Sequence, residues 1–219
     1  MLKHALFVII LLGHMFALNY DEAFEKLRVS FKKNLETFRA DITQEVKIAD
    51  ISQTQILSGK ITVKKPDKLL LEYSAPVKQS IISDGKTFWI YLQEQNQVIV
   101  QASAAVKSKN NIIFQLPRYI EYLKKKYIGS LKEEEPHDGV EAVLLEFVPK
   151  GGVEEQDFAK IVLWVDKEKW LPLSSTVYID RENSITVKFS NIKTAEKLED
   201  SMFEFKIPEG TEKITSLLE

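Results

Sequence analysis

The sequence predicts a mainly β protein of the α+β kind. The expected body is a single curled antiparallel sheet forming an open half-barrel, covered by an N-terminal helix and a mid-chain helical lid. Three observations predict it. From about residue 40 to the C-terminus the apolar period is mostly two. Polar turn signals recur between the alternating runs. Helical spacing is confined to one N-terminal and one mid-chain stretch.

The N-terminal stretch runs from Tyr20 to about Glu45. Phe24, Leu27, Phe31, Leu35 and Phe38 recur every three or four residues and give one apolar stripe, with Asp21 as a candidate N-cap. Near residue 40 the spacing changes: Ala40, Ile42, Gln44, Val46 and Ile48 alternate, as a strand does. Ile61 and Val63 alternate with Lys60, Thr62 and Lys64, and Leu69, Leu71 and Tyr73 follow in the same pattern. Ser83-Asp84-Gly85-Lys86 joins Gln79–Ser83 to Thr87–Leu92. Asp-Gly suits both positive-φ positions of a type I′ turn, so a hairpin is expected there. Gln93 to Gln97 is a second polar turn, leading to Val98-Ile99-Val100.

Alternation stops between Ala102 and Lys126. Ala102 to Leu116 favours a short helix broken by Pro117, and Arg118 to Tyr127 places Tyr119, Tyr122, Leu123 and Tyr127 at helical spacing. Strands are then expected at Val140–Pro149, Ala159–Asp166, Leu173–Asp180, Ser184–Asn191 and Met202–Lys206. Gly151-Gly152 and Arg181-Glu182-Asn183 supply turns. About ten hairpin-linked strands argue for one curled sheet whose edges need closure or cover. Such a body either fills its interior or keeps a ligand cavity. The absence of repeats and linkers makes residues 19–219 one domain.

Residues 1–18 read as a signal peptide, with an uncleaved anchor as the alternative. Lys3 supplies the positive start, and Ala5 to Leu12 is an unbroken apolar run, too short to cross a bilayer of ~30 Å as a helix. The expected cut lies within residues 17–19. The chain has no cysteine, so neither a lipidated N-terminal Cys nor a disulfide is available. The expected localisation is therefore the periplasm, exported and not lipid-anchored.

Several chemistries lack their residues. A net charge of −2 provides no basic field for nucleic acid. With no cysteine, and with His4 and His14 leaving with the signal, His137 is the one histidine a triad could use, and no Gly-x-Ser-x-Gly elbow exists. No His or Cys spacing marks a metal site, and no Gly-rich loop marks a phosphate. No catalytic residue, metal or cofactor is expected. Carboxylate pairs are harder to dismiss, since a glycosidase needs only two. Glu133-Glu134-Glu135 is the densest acidic cluster and reads as a solvated turn.

From Ile56 to Val100 the sequence resembles the periplasmic outer-membrane lipoprotein carrier (LolA) family. The matching stretches are Gly59 to Pro66, Leu69 to Pro76 and Ile82 to Tyr91. They carry a Gly-started strand, a basic-Pro dipeptide at Lys65-Pro66, an aromatic strand ending near Pro76, and a Ser-Asp-Gly-Lys hairpin leading to Trp89-Ile90-Tyr91. Leu163-Trp164-Val165-Asp166, Leu171-Pro172-Leu173 and Phe203 to Gly210 extend the resemblance to the C-terminal part. It implies a half-open β-barrel closed by helices. It implies no enzymatic step but carriage of lipoprotein acyl chains, taken from an inner-membrane ABC lipoprotein-releasing complex and delivered to an outer-membrane receptor or the outer membrane. A monomer is expected. Two rival readings stay open: another exported carrier of lipid or hydrophobic ligand on the same half-barrel, and a periplasmic hydrolase acting through carboxylates.

The candidate lipid-binding residues are Ile61, Val63, Leu69, Leu71, Tyr73, Trp89 and Tyr91, with Ile112, Ile113, Phe114 and Leu116 forming the apolar cluster of the lid. Each strand residue among them could equally be packed core. The resemblance assigns lid closure to the residue before the Pro, an Arg in the family that bonds to lid carbonyls. This chain has Lys65 there, with three donors but no planar fork. Alternation puts Lys65 on the face shared by Ile61 and Val63, where a lone cation needs a partner.

Export followed by cleavage gives the first testable expectation. N-terminal sequencing of periplasmic protein should begin between residues 18 and 20, and recovery of the whole chain in the membrane pellet would contradict it.

Overall fold

The structure, a computed structural model, describes residues 18–34, 36–49, 53–102, 119–152 and 158–214. The chain begins with helix α1 (Tyr20–Asn34) and continues through β1 (Thr37–Lys47), β2 (Gln55–Lys64), β3 (Lys68–Ala75), β4 (Gln79–Ser83), β5 (Thr87–Leu92) and β6 (Gln97–Ala102). After helix α2 (Tyr119–Lys126) come β7 (Tyr127–His137), β8 (Val140–Pro149), β9 (Lys160–Asp166), β10 (Pro172–Tyr178), β11 (Ser184–Thr194), a 3₁₀ turn (Asp200–Phe203) and β12 (Glu212–Ile214). The helix expected over 102–116 lies, but for Ala102 at the end of β6, outside the described residues.

The twelve strands of the described residues belong to one sheet, ordered β12-β6-β5-β4-β3-β2-β1-β11-β10-β9-β8-β7. Two meanders, β1–β6 and β7–β11, meet where β1 pairs antiparallel with β11, from Phe38 opposite Thr194 to Lys47 opposite Ser184. The terminal strands β12 and β7 are not neighbours, so the curled sheet stays open. The β1–β2, β3–β4, β5–β6, β8–β9 and β10–β11 connections share one end of the sheet, here the upper end. The β2–β3, β4–β5, β7–β8 and β9–β10 connections form the lower end.

Alternation fixes the two faces. Across β1 to β5 the register sets Ala40, Ile61, Leu71, Ile81 and Ile90 in one row, and Phe38, Val63, Leu69, Ser83 and Phe88 in another. These concave positions build one core cluster. In the other half, Val143, Leu145, Phe147, Ile161, Leu163 and Val165 pack against Ala23, Phe24 and Leu27 of α1 and Ile120 and Leu123 of α2. Both helices therefore cover the concave face, and Phe31 touches both clusters.

Several local expectations are corrected. The N-cap of α1 is Asn19, whose Oδ1 accepts the Glu22 amide at 3.0 Å, rather than Asp21. The helix ends before Phe38, which sits in β1 and stacks edge-on to Phe189. The seven-residue step from Phe31 to Phe38 matches helical spacing only by coincidence, since Phe38 lies on the strand's inward face. At Asp84-Gly85 only Gly85 takes positive φ (96°), because the loop has three residues and Asp84 caps it by accepting the Lys86 and Thr87 amides. The two-residue loop with both φ values positive is Asp138-Gly139, between β7 and β8. Glu133-Glu134-Glu135 is no turn but part of β7, the outer edge strand. Its exposed carboxylates, Pro136 and a register shift between Leu131 and Glu133 make that edge a poor template for further pairing.

Met202–Lys206 is not a strand either. From β11 the chain crosses the convex face as a strap. Thr37 Oγ1 donates to the Glu196 carbonyl, Phe203 is fully buried, and Phe205 packs against Trp89 and Tyr91 at centroid distances of 6.3 and 5.2 Å. The strap then joins β6 as the parallel strand β12, the exception in an otherwise antiparallel sheet. Phe203 and Phe205 alternate as a strand would, but their partners are side chains of the face below and not a neighbouring backbone.

The strap is tied at Asp200, whose carboxylate meets Lys64 Nζ at 2.6 Å and Lys68 Nζ at 2.9 Å. Those two ammonium groups hold the Asp200 carboxyl at about 2, below its ordinary 3.8. A depressed folded-state value contributes stability that is present above the unfolded value and lost as pH falls through the folded one. Asp200→Asn should therefore lower the urea midpoint at pH 7. The gap to wild type should close as the pH approaches about 2. An unchanged gap across that window would remove the ion pairs from the account.

Candidate functional site

The seam between the two meanders leaves an apolar cavity on the concave side, with about 620 Å³ of empty space when the open solvent at its mouth is counted. Ile42 and Gln44 of β1, Ile61 of β2, Leu71 and Tyr73 of β3 form one wall. Leu163, Ser175, Val177, Ile185, Val187 and Phe189 of β9 to β11 form the other, with Phe31 of α1 and Tyr119 of α2 on the covering side. Alternate residues of neighbouring strands reach it together because register places Gln44 opposite Val187 and Ser175 opposite both Val187 and Leu163.

The few polar side chains in this wall bond to each other. Tyr73 Oη donates to Gln44 Oε1 at 2.7 Å, and Tyr119 Oη and Ser175 Oγ lie 3.1 Å apart. Burial pushes the Tyr73 hydroxyl up to about 12 and the Tyr119 hydroxyl well above the ordinary tyrosine value. Both phenols stay neutral over the physiological range. Paired and uncharged, they present methylene and ring surface to the cavity, which suits an apolar ligand and offers water little.

The sequence candidates divide into four groups. Ile61, Leu71 and Tyr73 line the cavity. Val63 and Leu69 are buried one row lower, in the cluster that contains Phe38 and Phe88, and do not line it. Trp89 and Tyr91 point to the convex face and pack on Phe205, because alternation puts Phe88 and Ile90 on the concave side instead. Ile112, Ile113, Phe114 and Leu116 lie outside the described residues. Sequence reasoning missed Phe31 as a wall residue, although it belonged to the α1 stripe, and missed the β10–β11 wall. Val177, Ile185 and Val187 do alternate, but nothing local says that β11 pairs with β1.

Lys65 follows β2 at the lower end. Its Nζ donates to the Phe31 carbonyl at 2.8 Å, and its amide donates to the Glu36 carbonyl at 2.9 Å. Phe31 lies in the last turn of α1, where carbonyls have no partner within the helix and the dipole favours a cation. The lysine thus ties down the residue whose ring covers the cavity. The bond goes to the N-terminal helix and not to the mid-chain segment.

His137 makes no relay. Its ring stacks on Trp164 at 4.4 Å, and Nε2 lies 3.3 Å from Ser174 Oγ and 3.9 Å from Asp138 Oδ2. Serine and carboxylate address the same nitrogen, whereas a triad needs the carboxylate on the other one. Among the described residues no group of three or more His, Asp or Glu is placed to hold a metal ion.

Comparison with known proteins agrees with this geometry. The model of the family described as outer membrane lipoprotein carrier protein LolA matches residues 33–206. An uncharacterized protein of Methanocaldococcus jannaschii is 27% identical over 91% of this chain, which spans 55% of that longer protein. An outer-membrane lipoprotein carrier protein of Actinobacillus succinogenes is 27% identical, covering 87% of this chain and 85% of its own. Among solved structures, an uncharacterized conserved protein from Thermus thermophilus superposes with a TM-score of 0.58 at 13% identity, covering 90% of this chain and 98% of its own. The Pseudomonas aeruginosa MucA/MucB complex gives 0.51 at 16% identity over 84% of this chain and 60% of that one. These two show the fold alone.

Proposed function

Because the chain belongs to the outer membrane lipoprotein carrier protein LolA family, we propose that it is an exported, non-enzymatic carrier that holds lipoprotein acyl chains in the cavity at the β1–β11 seam. The observation that carries the reading is the chemistry of that cavity: aliphatic and aromatic walls from six strands and two helices, with each polar side chain already paired. Burying an acyl chain is worth roughly 0.8 kcal/mol per CH₂, so such walls suffice to bind one without a specific polar contact. The relatives' names support the same reading. In the full proposal the chain works in the periplasm, receives clients from an inner-membrane ABC releasing complex and yields them to an outer-membrane receptor or the outer membrane itself.

A fluorescent apolar probe should bind the purified protein at about one site per chain, and fatty acid should displace it. Val187→Trp fills the wall opposite Gln44 and should weaken probe binding by at least about tenfold while leaving the circular dichroism of the sheet unchanged. Absence of saturable binding in the wild type would sink the carrier reading. Mass spectrometry of protein purified without detergent separates carrier from hydrolase: intact lipid is expected, not cleavage products.

Lys65 provides a second test. A hydrogen bond from a charged group is worth ~1.5–3 kcal/mol, so Lys65→Leu should shift the closed, empty state towards opening by about tenfold or more. Uptake from inner-membrane spheroplasts should survive, because apolar contacts drive it, and delivery to outer-membrane acceptor should fail. Lys65→Arg should deliver at least as well as wild type. Normal delivery by Lys65→Leu would reduce the residue to an ordinary helix-end lysine.

A further inference from the structure

Among the described residues eight large aliphatic side chains are well exposed, and six of them lie at the upper end of the sheet. Ile48 and Ile56 flank the β1–β2 connection, Val77 sits in the β3–β4 turn, Ile179 opens the β10–β11 turn, and Ile128 pairs with Val148 at the upper ends of β7 and β8. Ile56 and Ile128 are the most exposed, at 56% and 57%. Strand ends and turn tips ordinarily carry polar residues, so this concentration needs a reason.

Cations accompany these positions. Lys47 adjoins Ile48, Lys78 adjoins Val77, Lys126 and Lys150 lie two residues from Ile128 and Val148, and Arg181 lies two from Ile179. Among the described residues none of these five forms an ion pair. Acidic groups share the same end, but Asp180 is engaged by the Glu182 and Asn183 amides and Glu45 lies 3.9 Å from Lys188. Among the described residues Glu94, Glu182 and Glu209 at this end remain to oppose the cations.

We propose that the upper rim docks on the surface of an anionic phospholipid bilayer, with the six aliphatic side chains entering the headgroup region and the five basic ones meeting lipid phosphates. A protein interface would gather its apolar residues into one patch with aromatic or Arg anchors at its centre. Here single aliphatic residues are spread along the rim, each near solvent, and all but Ile56 have a basic neighbour within two residues. That is the pattern of an interfacial membrane contact. The rim also continues the cavity wall: Val177 is two residues from Ile179, and Tyr73 and Gln44 are each four residues from Val77 and Ile48. Docking would bring the upper wall against lipid, so that a bound chain crosses little water. This last step rests on the carrier reading, whereas docking itself does not.

The chain has no cysteine, so single-cysteine variants label cleanly. Ile56→Cys, Val77→Cys and Ile179→Cys, each carrying nitrobenzoxadiazole, are compared with Val140→Cys at the lower end. Vesicles of phosphatidylcholine containing about one quarter phosphatidylglycerol should brighten the three rim labels at least about twofold and leave Val140→Cys unchanged. The response should fall in pure phosphatidylcholine, at about 0.5 M salt, and on adding Lys78→Glu with Arg181→Glu. Equal brightening at Val140→Cys would overturn the proposal, because the protein would then meet the bilayer by another surface or in a disordered state. Rim labels that stay dark while the vesicles carry the protein down in sedimentation would also overturn it, since contact would run through the N-terminal apolar stretch. Dark labels with no sedimentation would overturn it too and leave the rim to a protein partner. Probe displacement by fatty acid, measured without vesicles, fails or succeeds independently of all these outcomes.

Discussion

The pairing of β1 with β11 is the constraint on which the molecule depends. It joins the strand that follows α1 to the strand that precedes the strap, roughly 150 residues later, along nearly the full length of both. Without it each meander is a separate ribbon with an apolar face it cannot bury. With it the two faces become one concave surface, and the helices that cover it do so from one side. The register, interrupted only between Arg39 and Asp41, also decides which residues reach the cavity. A one-residue slip would send Ile42 and Gln44 outward and bring Asp41 and Thr43 in. The core on either side of the seam makes that slip costly.

Close approach sharpens the same architecture. At Gly59, where the β2–β3 register shifts, a Cβ would collide with the Glu72 carbonyl oxygen, so the strand that supplies Ile61 to the cavity can lie there only without a side chain. At Gly129 a Cβ would collide with the Tyr20 ring, which stacks on Phe24 and meets Phe147 edge-on. One glycine seats β2 against β3; the other seats the start of α1 on β7. Between them they hold the covering helix and the cavity wall in one frame, and Lys65 secures the far end of that helix.

Much of this was legible in the residues. Strict alternation from Ile61 to Tyr73 gave the inward rows, and the polar segments 84–86 and 93–96 gave hairpins in the right places. What could not be read was non-local. Period two tells which residues share a face but not whether that face is concave. Trp89 and Tyr91 alternate as regularly as Phe88 and Ile90, yet they serve the strap. The same gap hid Val177, Ile185 and Val187, whose pattern is clear and whose partner strand is not. Phe203 and Phe205 show the converse: an alternating pair whose backbone finds no sheet, because its side chains pack down onto one. The acidic run of β7 misled for a different reason, since an edge strand is selected for charge as a turn is.

If the chain carries acyl chains as proposed above, and if α1 closes over them, the magnitudes at Lys65 bear on how it lets go. One charged hydrogen bond to the Phe31 carbonyl is worth ~1.5–3 kcal/mol, and each buried methylene ~0.8 kcal/mol, so closing α1 offsets only about two to four methylenes. A long acyl chain buries many more. The tie can therefore bias the empty protein towards the closed state and weaken the last stage of binding, but it cannot expel a chain into water. Release needs an acceptor that supplies an apolar environment of its own, with the tie tipping the balance once most of the chain has left. An apolar cavity with self-paired polar groups fits that division of work. It would grip a chain through area alone, so the hold would decline steadily as methylenes depart instead of failing at a single specific bond. The device that sets direction then has to lie at the mouth, where the chain passes from one apolar surface to another.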